Sequence, residues 1–313
     1  MVVRMKVGVM GTGAVGGYYG AMLARAGVPV VFIGRPAQVA KLQGEGLRLQ
    51  AQSFDERFPV QASADAAALT DCALVLCCVK SGDTESAGTQ MAPHLPPHAV
   101  VLSLQNGVDN AARLAAQLSP SNQVAAAVVY VAAEMKAPDH VRHHGRGELV
   151  LARWAAQGSQ PSPEAVGALF AQAGVPVELA QDVDAALWSK LVLNCAYNAL
   201  SAISRLPYGQ LAQGEGVQAL MRDIVAECVA VAQASGVTLA DPWPAVQRIA
   251  ATMPGQFSST AQDLMRGKPS EIDHLNGFVV RRGQALGVPT PVNRALHVLV
   301  KLLESAPGNL RSA

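Results

Sequence analysis

Five of the ten residues from 11 to 20 are glycine. They follow a short β-branched run at residues 6–10 and open a stretch, residues 14–25, whose apolar spacing is helical. Glycine disfavours an isolated helix by about 1 kcal/mol per residue, so such a density needs a packing or binding reason. Gly11-Thr12-Gly13-Ala14-Val15-Gly16 is a G-x-G-x-x-G motif in a strand–turn–helix context. In that context the first glycine permits a tight turn and the second brings the backbone close to a pyrophosphate. The third lets the helix pack closely on the strand. The free amides of the helix's first turn then receive the pyrophosphate. A glycine-rich turn that binds nothing is the competing reading, and it leaves the context unexplained. Arg4 and Lys6 before an apolar stretch ending Ala24-Arg25-Ala26 also imitate a secretory leader. The interrupting glycines favour the strand–turn–helix.

The rest of the first half alternates. Continuous apolar runs at residues 28–33, 73–79, 100–104 and 124–131 are separated by helical or polar segments, the pattern of a parallel sheet covered on both faces. Beyond Asp182 the periodicity is almost wholly helical, over 183–206, 217–234, 245–252, 260–266, 271–286 and 292–303. Pro207, Gly236, Pro269, Gly287 and Pro289 punctuate these helices. With 313 residues, against about 150 per domain, the expectation is an α/β class chain. It combines a Rossmann-type, mostly parallel sheet in residues 1–181 with an all-helical domain in 182–313. The Gly-Ser-Pro-rich stretch 158–163 reads as a surface loop of the first domain.

Composition narrows the function. Half the residues are hydrophobic and 15% are charged, which provides a core and excludes wholesale disorder. A formal charge of +1 argues against nucleic acid or an anionic membrane as the main partner. No run reaches the ~18 apolar residues of a membrane span. The five cysteines form no C-x-x-C pair and read as buried thiols of a cytoplasmic protein. His140, His143 and His144 read as surface residues flanking a polar turn, and no ligand spacing suggests a metal.

The second apolar run ends in Gly34-Arg35, with no carboxylate before Glu45. An NAD site usually carries an acid there for the ribose 2′-hydroxyl. A guanidinium suits a 2′-phosphate, and Gly34 leaves room for it, so the expected cofactor is NADP. Lys80 and Asn106 each follow an apolar run, at the edge where open parallel sheets bind ligands. Lys190, Asn194 and Asn198 are spaced by four on an otherwise apolar helix and share a stripe within ~80°. A solvated stripe would favour Glu, Lys and Arg over two asparagines, so a wet cleft is the better reading. Ser258-Ser259-Thr260 and Pro269-Ser270-Glu271 form a second polar cluster, where Pro269 predicts a helix start with Glu271 in its first turn.

The ordered set resembles the ketopantoate reductase (2-dehydropantoate 2-reductase) family over nearly the whole chain. It comprises Gly11-Thr12-Gly13-Ala14-Val15-Gly16-Gly17-Tyr18-Tyr19-Gly20, Gln105-Asn106-Gly107, Lys190-x₃-Asn194-x₃-Asn198, and Ser259 with Glu271-Ile272-Asp273 and Asn276-Gly277. The resemblance implies NADPH-dependent reduction of a 2-oxo acid to a 2-hydroxy acid. By position it implies Lys190 as proton donor and Asn194, Asn198 and Ser259 as substrate-binding residues. Asn106 matches a residue touching both substrate and cofactor. Lys80, Ala133 and Glu271 fall on cofactor-contacting positions, with Glu271 holding either the cofactor or the lysine. Pro207-Tyr208 stands where several members carry an Asn after the Pro, and a phenol cannot copy an amide's paired donor and acceptor. The expected substrate is therefore 2-dehydropantoate or a related 2-oxo acid. A related hydroxyacid dehydrogenase with another substrate and a catalytically silent NADP sensor are the alternatives, and apolar helices in the second half are compatible with a homodimer.

Overall fold

Strand β1 (Val7–Met10) is buried along its whole length, so neither face needs a polar side chain. Helix α1 (Ala14–Arg25) follows it, then β2 (Val30–Ile33), α2 (Pro36–Glu45), β3 (Leu47–Gln50), β4 (Asp55–Phe58) and β5 (Gln61–Ser63). The chain continues with β6 (Leu74–Cys77), α3 (Thr84–Met91), β7 (Val100–Ser103) and α4 (Asn110–Ala115). The strands β8 (Gln123–Ala137) and β9 (His140–Leu151), then α5 (Pro163–Gln172) and β10 (Val177–Leu179), complete this part. The coordinates, a computed structural model, describe residues 5–306. These divide into two compact units, one ending at Val183 and the other starting at Asp184.

In the first unit β5, β2, β1, β6, β7 and β8 lie side by side and parallel, in that order. The strand order reverses between β1 and β6, and ligands of open α/β sheets bind outside such a switch point. Both faces are covered. Val7, Val9, Phe32 and Leu76 pack into one apolar cluster with Tyr19 and Phe170. Met10, Val31, Cys77 and Val101 pack into another with Leu69 and Met91. Gly20 is required here because a Cβ would strike the ring of Phe32.

The far side of the sheet departs from expectation. The run at 124–131 is only the first part of β8, which continues to Ala137 and pairs antiparallel with β9 through three register shifts. Strand β9 also pairs parallel with β3 and β10, and β3 pairs antiparallel with β4. The histidines therefore lie on a strand rather than around a loop. His143 is half-buried and stacks on Tyr18 with centroids 4.3 Å apart, and burial holds its pKa below the usual imidazole value. These strands alternate polar with apolar residues and carry several charges, so they lack the continuous apolar signal of the parallel strands.

The second unit consists of α6 (Val183–Ser204), α7 (Tyr208–Leu211), α8 (Val217–Ala234), α9 (Trp243–Thr252), α10 (Ser259–Met265), α11 (Asn276–Leu286) and α12 (Pro291–Ser305). Helix α6 is joined to α9 by the Tyr197 hydroxyl, which donates to the Val246 carbonyl at 2.7 Å. The edge-on pair Trp188–Phe278 joins α6 to α11. The Glu227 carboxylate on α8 accepts from the amides of Val292 and Asn293 at 2.8 and 2.9 Å, in the first turn of α12, where negative charge is favoured. The helix expected over 271–286 is broken. Ile272–His274 form a single 3-10 turn, and α11 starts only at Asn276, after Leu275 leaves the helical region (φ −110°, ψ −104°). Pro269 therefore does not place Glu271 in the first turn of a long helix. Among the described residues, no helix is long and apolar enough to cross a membrane.

Candidate functional site

Gly11 has φ +98°, in the region that favours glycine, and a Cβ there would lie 2.7 Å from the Val79 backbone nitrogen. Gly16 faces inward, where a Cβ would strike the Gly11 carbonyl oxygen and sit 2.9 Å from Val9 Cγ1. Gly13 differs, because nothing lies within 4 Å of where its Cβ would be. The first and third glycines thus serve packing, and the second leaves open backbone. No described residue accepts a hydrogen bond from the amides of Gly13, Ala14 or Val15. Such a helix start, open and electropositive, fits a pyrophosphate. Thr12 is buried and its hydroxyl donates to the Ile33 carbonyl at 3.0 Å, joining the turn to the end of β2.

Parallel register brings the other candidates of this unit to the same edge. Met10 is level with Ile33 and Cys77, Cys77 with Ser103, and Ser103 with Ala126. Arg35, Lys80 and Asn106 follow that line within two or three residues, while Ala133 lies well beyond it, on the part of β8 that outruns the parallel sheet. Arg35 precedes α2, and its exposed side chain makes no ion pair with a described residue. Gln38 lies beside Gly34: its Oε1 would lie 3.0 Å from a Cβ at Gly34. Gln38 Nε2 donates to the carbonyls of Thr12 and Pro138 at 2.6 and 2.9 Å.

A polar network beside Asn106 escapes notice in the sequence. The Asn106 carbonyl accepts from Ser81 Oγ at 2.8 Å and from Asn110 Nδ2 at 2.6 Å. Gln105 Nε2 donates to Thr84 Oγ1 at 2.7 Å, and Ser103 Oγ donates to Gln105 Oε1 at 3.0 Å. Ser81, Thr84, Ser103, Gln105 and Asn110 are all buried. Arg113 reaches the Ser81 carbonyl and holds Glu85 through two bonds of 2.7 Å. The loops after β6 and β7 are therefore fixed to each other. The available signal was a buried-strand pattern running directly into Gln105. Burial pushes the Cys77 thiol up to about 12 and raises Cys78 beside the glycine turn, which leaves neither as a thiolate nucleophile.

In the second unit the stripe on α6 is graded. Lys190 and Asn194 are half-buried and Asn198 is buried. Asn198 Nδ2 donates to Ser259 Oγ at 3.4 Å. The neighbouring Ser258 caps α10: its hydroxyl accepts from the Ala261 amide at 3.0 Å and donates to the Asn198 carbonyl at 3.1 Å. Ser259, at the first position of α10, is thereby held against the stripe while remaining exposed. Glu271 is half-buried, just before the 3-10 turn. Tyr208 packs edge-on against Tyr197 with centroids 4.8 Å apart, and burial raises its phenol pKa.

Residues 7–156 match the family model described as ketopantoate reductase PanE/ApbA, and residues 182–304 match the model of its C-terminal part. The chain belongs to the ketopantoate reductase family. Membership makes it an oxidoreductase that uses a nicotinamide cofactor and acts on a CH–OH group or the corresponding keto acid. It is 31% identical to a 2-dehydropantoate 2-reductase of Halobacterium salinarum, over 96% of this chain and 99% of that protein. It is 32% identical to one of Caulobacter vibrioides, with the same coverage. Among solved structures, a PanE/ApbA family ketopantoate reductase from Ralstonia eutropha JMP134 superposes with a TM-score of 0.90 at 59% identity, covering 96% of this chain and 98% of that one. A D-mandelate dehydrogenase solved with NADH and anilino(oxo)acetate shares the fold, with a TM-score of 0.88 at 22% identity over 96% of this chain and 98% of that one.

Proposed function

We propose that this family member reduces a 2-oxo acid, 2-dehydropantoate or a close relative, with NADPH, and that Lys190 supplies the proton. The observation that carries the reading is the Asn198–Ser259 hydrogen bond, which gathers the stripe of Lys190, Asn194 and Asn198 with an exposed hydroxyl at a helix start. One cation with several neutral donors suits a substrate that bears a carboxylate and a carbonyl.

Gly11, Gly13 and Gly16 shape the turn, and the amides after Thr12, in Ala14 and Val15, would hold the pyrophosphate. Arg35 would pair with the 2′-phosphate; the absence of another ion pair for it among the described residues and the lack of an acid at the end of β2 support NADP over NAD. Lys80, Asn106, Ala133 and Glu271 would complete the cofactor contacts, with Glu271 anchoring the cofactor or orienting Lys190. When bound, the reduced nicotinamide supplies a hydride to the keto carbon. The Lys190 ammonium stabilises the negative charge that develops on the carbonyl oxygen and gives it a proton. Asn194 and Asn198 orient the substrate's oxygen groups, and Ser259 binds its carboxylate.

The test follows NADPH and NADH absorbance with a panel of 2-oxo acids that includes 2-dehydropantoate and bulkier relatives. Turnover with NADPH preferred supports the reading. Tight NADPH binding with no oxidation by any member would favour a sensor instead. Turnover confined to other 2-oxo acids would point to Tyr208 as a determinant of substrate choice.

A further inference from the structure

We propose that the face of α12 carrying His297, Lys301 and Glu304 is a clamp whose purpose is to position Glu271, an inference that rests on the cofactor-anchoring role given to Glu271 above. The three residues are spaced by four and three and so share one side of the helix. They grip the short segment containing Glu271 from both sides. Before it, Glu304 Oε1 accepts from both the amide and the hydroxyl of Ser270, at 2.8 and 2.6 Å. After it, Asp273 is held by His297 Nε2 at 2.6 Å and by Lys301 Nζ at 2.8 Å. Lys301 also reaches Glu304 Oε2 at 2.8 Å, so the two grips form one connected network.

The Asn276-Gly277 pair, which the reaction leaves without a role, fits the same device. A Cβ on Gly277 would lie 2.8 Å from His297 Nε2 and 3.1 Å from the Ile272 carbonyl oxygen. Only glycine lets the imidazole approach the turn closely enough to reach Asp273. Asn276 is fully buried and its Nδ2 donates to Asn293 Oδ1 at 2.9 Å, tying the start of α11 to the first turn of α12. A segment with no regular helix of its own is thereby given a defined backbone on each side of Glu271. Simple stabilisation would need no such bracketing of one carboxylate. Glu304 is therefore a positioning residue that acts through Glu271.

The test uses the full chain with Glu304→Ala, Glu304→Gln and Gly277→Ala, each in the native background and combined with Glu271→Ala. NADPH affinity is read by nicotinamide fluorescence, turnover by NADPH oxidation with 2-dehydropantoate, and folding by the thermal midpoint. Glu304→Ala is expected to weaken NADPH binding about fivefold or more in the native background and by less than about twofold once Glu271 is gone, the non-additivity of residues that act as a unit. Glu304→Gln, which can still accept from Ser270, is expected to recover most of the loss. Gly277→Ala is expected to reproduce a smaller version of it and keeps the proposal open to test if Glu304→Ala does not fold. A lowered thermal midpoint with unchanged NADPH affinity, or equal losses in both backgrounds, would overturn the clamp alone. Unaltered binding and turnover in Glu271→Ala would overturn the role of Glu271 and the clamp with it.

Discussion

In the first unit the glycine turn is placed by backbone. The parallel register of β1, β2, β6 and β7 brings the ends of these strands to one line, and two glycines allow main chain to touch main chain there. In the second unit the placing is done by side chains. Asn198 meets Ser259, Ser258 caps α10 while holding the Asn198 carbonyl, and Glu304 holds Ser270. A backbone-built site tolerates no added atoms but is indifferent to many side chains. A side-chain-built site is the reverse, because each truncation removes a specific partner. If the proposed roles hold, the nucleotide would rest on a rigid, general frame and the substrate on replaceable parts.

The largest effect should come from the replaceable side. Lys190→Ala is expected to lower kcat by ~100-fold or more while leaving the thermal midpoint near native, from the usual worth of a positioned acid. Unaltered turnover in a folded variant would remove Lys190 from the chemistry. Within the frame, Gly16→Ala should destabilise the protein by about 1–3 kcal/mol, because its Cβ has no room, measured as a shift in the denaturation midpoint. Gly13→Ala, with open space around the new methyl, should change stability by less than about 0.5 kcal/mol yet weaken NADPH binding. If both glycines behave alike in stability, the contrast between packing and binding glycines fails.

Arg35→Ala should erase most of the preference for NADPH over NADH, by about tenfold or more, since a charge-assisted bond to the 2′-phosphate is worth about 1.5–3 kcal/mol. Stability should hardly change. An unaltered preference would assign the 2′-phosphate to other groups.

The smallest expected effect concerns acid. For Glu304, burial opposes ionisation, but the bonds from Lys301 and Ser270 outweigh it and hold the carboxyl below its usual pKa. The same balance, with His297 and Lys301 as partners, holds for Asp273. The folded state therefore binds fewer protons than the unfolded chain, and unfolding takes protons up as pH falls through the carboxylate range. The stabilisation is present near neutrality and declines below about pH 4.5. Glu304→Gln should show a shallower loss of thermal midpoint between about pH 5 and pH 3 than the native chain. Parallel curves would mean that this carboxylate contributes nothing through its charge.

The division between backbone and side chain also explains how far sequence reasoning reached. The glycine motif, the buried parallel strands and the long helices α1, α6 and α8 were readable because each carries a local periodicity or a steric necessity. The helix boundary at 271 was not, since Ser270 and Asp273 are engaged by residues some twenty-four to thirty-four positions away on α12. Strand β9 was hidden by its histidines and arginines, which read as a polar turn when taken in order along the chain. The Ser81–Asn110–Gln105 network was hidden for the same reason, because its members are scattered over three segments and only the fold makes them neighbours. Gln38 beside Gly34 was likewise unreadable, because nothing local announces that its side chain will bend back over the turn.

Arg35 stands exposed at the head of α2, outside both apolar clusters and linked to no other charge among the described residues. A trait carried by so detached a residue can drift or be selected with little damage to the scaffold. If Arg35 reads the 2′-phosphate as proposed, redox currency is a property this framework could exchange in a single mutational step, whereas Gly11 and Gly16, each facing main-chain atoms, leave no room for a side chain.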